Sequence, residues 1–435
     1  MTLAEMLAAF ATAPVTADAQ MRRFVGFSLA DWAAVGLAGV DEPVARAARQ
    51  MAQEDSGGLG VAAVIGGGRA AARAAALANG ATSHALDYDD THFLHIGHPS
   101  VAVIPAALAV AEAQGASGAD FLDALTVGLE TACRVGAWLG RSHYEAGFHQ
   151  TGTSGAFGAA AAAGRLLGLD RATMAQALAL TATRAAGLKS QFGTMGKPLN
   201  AGFAAETGVT AALLAQAGAE SAPLAIEGAQ GFGPTHAGSA LDDAFAGLGT
   251  EWVFPGISYK FHACCHGLHA MLEAVGSLMP LDPDHISRVR IRTQPRWLDV
   301  CNQAAPETGL QAKFSYRLTA AMRLAGVDTA ALASYSAETA ARPDLIALRD
   351  RVEVIGDRAL RDTEAVVTID SGTGSVTARH DLAGRLAPEL IETRLRAKAV
   401  SLLGAGRAEA LWQAARALPD VPDMARFSAL LGSPG

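Results

Sequence analysis

The chain has 435 residues, half of them hydrophobic and only 17% charged, with a formal net charge of −8. This length exceeds one ordinary core and predicts two domains. The acidic balance leaves no Lys/Arg excess to neutralise phosphates, which excludes a nucleic-acid partner, and no apolar run reaches the roughly 18 residues of a membrane span.

Typical domains are about a quarter charged, so much of this surface is expected to be covered in an oligomer. The first residues, MTLAEMLAAFATAPVTA, carry Glu5 and no Lys or Arg before Arg22. Without a basic n-region they read as a first amphipathic helix in a cytoplasmic protein. Residues 18–38 and 43–54 have helical spacing, with Pro43 opening the second helix and Gly57–Gly58 ending it. In VAAVIGGGRAAARAAALANG (61–80), GGGR lacks the GxGxxG spacing of a dinucleotide turn. It reads as a glycine turn before a closely packed alanine helix.

Residues 84–100, HALDYDDTHFLHIGHPS, break the apolar pattern. They hold three carboxylates (Asp87, Asp89, Asp90), Thr91 and four histidines (His84, His92, His95, His98). An apolar helical run follows at once. Pro99 suits its first turn, which puts His98 at a helix N-terminus, where the dipole favours an anionic ligand. Residues 117–140 form a long helix, and a polar knot follows with Arg141, His143, Tyr144, Glu145 and His149. Thr151, Thr153 and Ser154 lead into a Gly/Ala-rich helix. Residues 170–186 are helical with Asp170 as cap. The glycine-punctuated loop 188–208 presents Lys197 at the mouth of another helix, a natural carboxylate clamp.

A second polar concentration, SYKFHACCHGLH, holds Lys260, His262, Cys264, Cys265, His266 and His269. The three histidines share one face only if the helix starts early. HExxH is absent, and the four cysteines (Cys133, Cys264, Cys265, Cys301) form no CxxC. Neither a structural metal nor an iron–sulfur cluster is predicted. After residue 280, ISRVRIRTQ and EAVVTIDSGTGSVTARH alternate as strands, the second a hairpin turning at 371–374. Helices fill 313–326 and 343–352, and from Pro388 the pattern is helical again. The fold class is mainly α with an α+β part. A large all-helical domain (1–262 and 387–435) holds a smaller α+β lid domain (263–386), inserted before the C-terminal helices.

Lysines, histidines and a carboxylate thus recur at helix mouths, with no nucleophile elbow, Walker loop or metal motif. Such groups suit proton abstraction next to a carboxylate, with cations holding the charge that develops. A non-enzymatic helical ligand-binding protein would account for the alanine-rich helices but not for this clustering.

The segments ALDYDDTHFLHIGHPS, HYEAGFHQTGTSGAFGAA, FGTMGKPLNAGFAAETG, YKFHACCHGLH and QAKFSYR resemble, in order, the signatures of the MmgE/PrpD family. That family includes 2-methylcitrate dehydratases, cis-aconitate decarboxylases and iminodisuccinate epimerases. The resemblance implies a homodimer, no cofactor, and an active site in a cleft between a helical domain and a lid. Carried over by position, the decarboxylase pattern falls on Asp87, Thr91, His98, His149, Lys197 and Lys260. Cys265 stands where the decarboxylase lid has its second histidine, and His266 follows it. The spacing from Thr91 to His98 is one residue longer than in the decarboxylase. The expected activity is that of a cofactor-independent lyase, of dehydratase or decarboxylase type, on a small di- or tricarboxylate. The alternative is an epimerase of an iminodisuccinate-like dicarboxylate. His98 or His149 is the base or acid, and Asp87 orients a histidine or moves a proton itself. Lys197 and Lys260 bind carboxylates, Thr91 donates a hydrogen bond, and Tyr144 and His266 are further substrate-binding candidates.

Overall fold

Residues 1–57, 60–372 and 374–432 are described by a computed structural model. Packing divides the chain into two units, 1–259 with 403–435, and 260–402. The first holds α1 (Leu3–Thr12), α2 (Ala19–Ala38), α3 (Pro43–Asp55), β1 (Ala62–Ala63), β2 (Arg69–Ala70), α4 (Ala72–Ser83), β3 (Thr91–His92) and α5 (Ser100–Gln114). It continues with α6 (Gly118–Glu145), α7 (Gln150–Leu166), α8 (Arg171–Thr181), α9 (Gly196–Gln216), the single turn α10 (Phe232–Thr235) and β4 (Ile257–Ser258).

Several starts follow from capping chemistry. Thr2 and Glu5 form a capping box on α1, and Asp18 and Asp170 accept the backbone N–H of Met21 and Thr173. Helix α3 ends at Asp55; of the expected stop, Gly58 lies outside the described residues. The glycine turn is a small hairpin: Gly66, Gly67 and Gly68 all take positive φ between β1 and β2. Asn79 of α4 ties it down, donating to the Ala63 carbonyl and accepting from the Ile65 N–H. Helix α8 stops at Thr181, short of the expected 186.

Helix α7 is central and buried from Gln150 to Gly164, packed among α5, α6, α8 and α9. Small residues permit these close crossings. A Cβ at Gly158 would lie 2.4 Å from the Gly128 carbonyl oxygen of α6, and one at Gly202 of α9 would lie 2.5 Å from the Leu77 carbonyl oxygen of α4. At these crossings not even the methyl of alanine fits without a shift of the backbone. Side-chain contacts join the starts of α5, α7 and α9.

A buried ion pair braces the chain that returns to this region. Arg134 bonds Glu130 (2.6 Å) and the carbonyls of Ala244, Ala246 and Glu251, and Glu130 accepts from the Val253 and Phe254 N–H groups. The braced segment leads into β4, which pairs antiparallel with β3 through Thr91↔Ser258 and His92↔Ile257.

The second unit contains α11 (His269–Leu278), β5 (Ile286–Thr293), α12 (Arg296–Val300), α13 (Gly309–Ala312), α14 (Tyr316–Leu324), α15 (Ala337–Ala340), α16 (Pro343–Arg349), β6 (Val352–Gly356), β7 (Glu364–Ser371), β8 (Gly374–Asp381) and α17 (Pro388–Leu403). Its sheet runs β6-β5-β7-β8, with β5/β6 parallel and the other pairs antiparallel. Val289, Ile291, Val367 and Ile369 face the core. The turn expected at 371–374 joins β7 to β8, and Thr373 in it lies outside the described residues. The helix expected over 313–326 begins at Tyr316, where Ser315 caps it. Helix α17, placed by its pattern with the all-helical domain, packs in this unit: Arg394 pairs with Glu273 and covers the Phe261 ring at 3.8 Å. The helices α18 (Ala405–Ala417) and α19 (Ala425–Ala429) return to the first unit, where Trp412 meets Phe27.

Among the described residues no single helix is long and apolar enough to cross a membrane.

Candidate active site

The polar stretch 84–100 is a folded turn between α4 and α5. Asp87 (φ 50°) and Ile96 (φ 54°) adopt left-handed backbone. Asp tolerates this region, whereas a β-branched isoleucine there stores strain that the surroundings must hold. Pro99 caps α5, one position before its expected place. The His98 N–H donates to Thr151 Oγ1 in the first turn of α7 (3.0 Å), which joins two helix starts. Thr151, Thr153 and Ser154 are thus inside α7 rather than ahead of it.

The four histidines of this turn divide into two pairs. His92 accepts the His95 N–H at Nδ1 and donates from Nε2 to the Val253 carbonyl (2.9 Å). The ring of His95 meets Ser154 Oγ (2.8 Å) and fills the notch over Gly136. Burial lowers the pKa of His92 to about 4 and that of His95 to about 3, so both are neutral struts. His84 and His98 share Asp89 instead. His84 Nδ1 bonds Oδ1 (2.9 Å), and His98 Nδ1 lies 2.8 Å from Oδ2, off the line of a well-directed hydrogen bond. Burial of Asp89 opposes its charge, but the two imidazoles hold its pKa well below the usual carboxylate range.

Around this pair gather groups from the other helix starts. Lys197, in the first turn of α9, pairs with Asp87 Oδ2 (2.7 Å), and Asp87 Oδ1 lies 3.6 Å from His98 Nε2. The lysine clamp is thus met by a carboxylate of its own chain. His149 caps α7 and stacks near His84 (ring centroids 6.1 Å apart), and Asn200 Nδ2 donates to its Nδ1 (3.1 Å). Phe192 sets its ring edgewise on His149 (4.9 Å) and beneath the Lys197 ammonium (5.3 Å). Burial, with Asp89 opposing and His84 and Lys197 assisting, brings the pKa of His98 down to about 4. Burial and then Lys197 push that of His149 well below its ordinary value. His98 and His149 are thus neutral at neutral pH, and His84, Lys197, Asp87 and Asp89 surround them.

Four of the expected site residues therefore meet here: Asp87, His98, His149 and Lys197. The Thr91 hydroxyl donates to the Ser258 carbonyl in the β3–β4 pair (3.3 Å). Tyr144 carries the Lys189 ammonium over its ring (3.8 Å) and accepts from it at its carbonyl. Lys260 and His266 belong to the second unit. Lys260 is buried there, and its charge bears on Cys264, Cys301 and His269. The histidines of that motif do not share a helix face, because α11 begins only at His269. His262 is held by Thr329 (2.7 Å) and Glu273 (3.2 Å), and the His266 and His269 rings lie 4.8 Å apart.

Sequence reasoning gave no role to His84, Asp89, Asn200 or Phe192. Asn200 follows Lys197 by three residues on α9, the spacing of same-face neighbours, and could have been found that way. Donor atoms of His84, Asp87, Asp89 and His98 lie within 4.8 Å of one another, close enough to hold a metal ion. In the structure Asp87 is committed to Lys197 and Asp89 to the two imidazoles. A divalent ion would have to displace the ammonium.

Comparison with known proteins adds independent findings. The MmgE/PrpD N-terminal domain matches residues 2–242, and the MmgE/PrpD C-terminal domain matches residues 262–419. The cis-aconitate decarboxylase-like protein oryM of Aspergillus oryzae is 34% identical over 278 residues, 60% of this chain and 57% of that protein. Cis-aconitate decarboxylase of Aspergillus terreus is 34% identical over 233 residues, 50% of this chain and 48% of the relative. The human cis-aconitate decarboxylase is 28% identical over 386 residues, 83% of this chain and 79% of that protein. The chain thus spans about half the length of the two fungal relatives.

Proposed function

This chain belongs to the MmgE/PrpD family, and on that premise we propose that it is a cofactor-independent lyase acting on a small di- or tricarboxylate. The observation that carries the reading is the convergence of His98, His149, Lys197, Asp87 and Asp89 around three helix starts. The kinship with decarboxylases supports the substrate class. Lys197 holds a substrate carboxylate, sharing its charge between that group and Asp87. An imidazole takes a proton from the adjacent carbon, and the electron pair moves into the carboxylate, where Lys197 stabilises it. Collapse of that pair expels hydroxide from the neighbouring carbon, which leaves as water after protonation. In the decarboxylating variant carbon dioxide departs, and the pair it leaves on carbon takes up a proton. Lys260, the buried lysine of the second motif, is read as the second carboxylate clamp on the strength of the family resemblance. Thr91, Tyr144 and His266 are read as accessory substrate contacts on the same ground.

Two imidazoles in one cluster also favour a second reading, epimerisation, in which one removes a proton and the other returns one. Incubation with a panel of di- and tricarboxylates in deuterated water, followed by proton NMR, separates exchange, elimination and loss of carbon dioxide. The lyase reading predicts elimination or decarboxylation of at least one member. Exchange or inversion without loss of a group would replace it with the epimerase reading.

The reading includes a cytoplasmic homodimer. Exposed Leu188, Met195, Phe203 and Leu214 supply apolar surface on and before α9. Sedimentation showing a stable monomer at micromolar concentration would exclude the dimer.

A further inference from the structure

The two imidazoles at the cluster are held by second groups of opposite polarity. His98 Nδ1 lies 2.8 Å from a carboxylate oxygen, Asp89 Oδ2, within the range of a strong electrostatic contact though off the line of a well-directed hydrogen bond. A lone pair on that nitrogen would repel the carboxylate, so Nδ1 carries the proton and Nε2 the lone pair. His149 Nδ1 faces the side-chain amide of Asn200 at 3.1 Å. Which end of an amide faces a partner has to be read from its other contacts. Here the same nitrogen also faces the Leu188 carbonyl at 3.4 Å, a group that only accepts. The amide therefore presents N–H to His149, whose Nδ1 must be the acceptor and whose Nε2 carries the proton.

We infer that Asp89 and Asn200 are positioning residues that set opposite tautomers on His98 and His149, making His98 the proton acceptor and His149 a hydrogen-bond donor to the oxyanion that develops on the substrate carboxylate. The tautomers stand on geometry alone, and the roles rest on the proton-transfer reading above. Burial keeps both rings neutral, the condition under which a tautomer has meaning. When His98 takes a proton at Nε2, the imidazolium lies between Asp89 and Asp87 Oδ1, 3.6 Å from Nε2. The group that faces Nδ1 of His149 is the Asn200 amide rather than a carboxylate, and the nearby Lys197 charge, opposed more weakly by Asp87, disfavours a second proton on the ring. His149 is built to hydrogen-bond an oxyanion through Nε2–H, and His98 to receive a proton at Nε2.

The test uses the full-length protein with 15N-labelled histidine and two-bond 1H–15N correlation spectra. His98→Gln and His149→Gln spectra identify the two rings. The expected result is Nδ1–H on His98 and Nε2–H on His149 in the unmodified protein. Asn200→Asp, near-isosteric, should move the His149 proton to Nδ1. It should lower kcat by about 10²–10⁴-fold, the range of a misplaced tautomer or lost oxyanion donor, and leave KM within about threefold. Asn200→Gln should recover part of that loss. The opposite tautomer on either ring, or an Asn200→Asp spectrum with His149 unchanged, overturns the inference. The expected tautomers with no carboxylate exchanged or consumed would uphold the positioning and overturn the proton-transfer reading alone.

Discussion

Replacing Lys197 by methionine removes the ammonium and keeps most of the stem. The ammonium lies 2.7 Å from Asp87 Oδ2, where two unit charges at an effective dielectric of about 20 attract by roughly 6 kcal/mol. Desolvation and the alternative of hydration reduce a charge-assisted contact to about 1.5–3 kcal/mol net. If a substrate carboxylate makes the same contact, kcat/KM should fall about ten- to 150-fold, with KM rising and kcat falling together. A second effect has a definite sign. The Lys197 charge helps depress the His98 pKa, and without it Asp87 is left uncompensated 3.6 Å from His98 Nε2. The His98 pKa should therefore rise, moving the acid limb of the pH–rate profile to higher pH. Both partners are partly exposed, so the melting temperature should change by no more than a few degrees. Steady-state kinetics between about pH 4 and 9 on whichever carboxylate is turned over provides the assay. A kcat/KM within threefold of the unmodified enzyme, or a large loss with an unmoved acid limb, would refute this account of Lys197.

Two further outcomes follow from the same surroundings. Burial, and then the charges of Asp31 and Asp89, raise the Asp90 pKa to about 7 against the opposing hydrogen bond from Ser100. A folded-state pKa above the unfolded one means the native state binds the extra proton. This contribution is present at low pH and is lost as pH rises through about 7. Asp90→Asn, which keeps a neutral group there, should therefore melt higher than the unmodified protein at pH 8, with an advantage that shrinks as pH falls below 7 and is gone only near the unfolded carboxyl pKa of about 4. A difference independent of pH in thermal melts would contradict the assignment. Activity should survive exhaustive treatment with a strong chelator, because Lys197 pairs with Asp87 and the other three candidate donors, Asp89, His84 and His98, pair with one another; a loss restored by added zinc or iron would overturn that expectation.

Much of the site was legible because its chemistry sits at helix mouths. Pro99, Asp170 and the glycine turn are local signals that act within a few residues, and each produced its element in nearly the expected place. The turn 84–100 stood out by composition, but its four histidines could not be sorted from sequence. What separates His92 and His95 from His84 and His98 is the partner each meets, Val253 and Ser154 against Asp89. Those contacts span up to 161 residues. The early helix start imagined for His262 failed for a related reason. His262 is held by Thr329, which no local pattern connects to it. Helix α17 reads as a continuation of the C-terminal helices, and the Arg394–Glu273 pair that keeps it in the second unit spans 121 residues.

The central claim is that His98 moves a proton on the carbon next to a substrate carboxylate. Its most direct measurement compares unmodified protein with His98→Gln in deuterated water, with deuterium at that carbon followed by NMR and substrate binding followed by calorimetry. The account predicts unchanged affinity within about threefold and a rate of exchange or turnover lower by two to four orders of magnitude. A His98→Gln enzyme that keeps its rate, or one that folds and binds normally but slows less than tenfold, would contradict it.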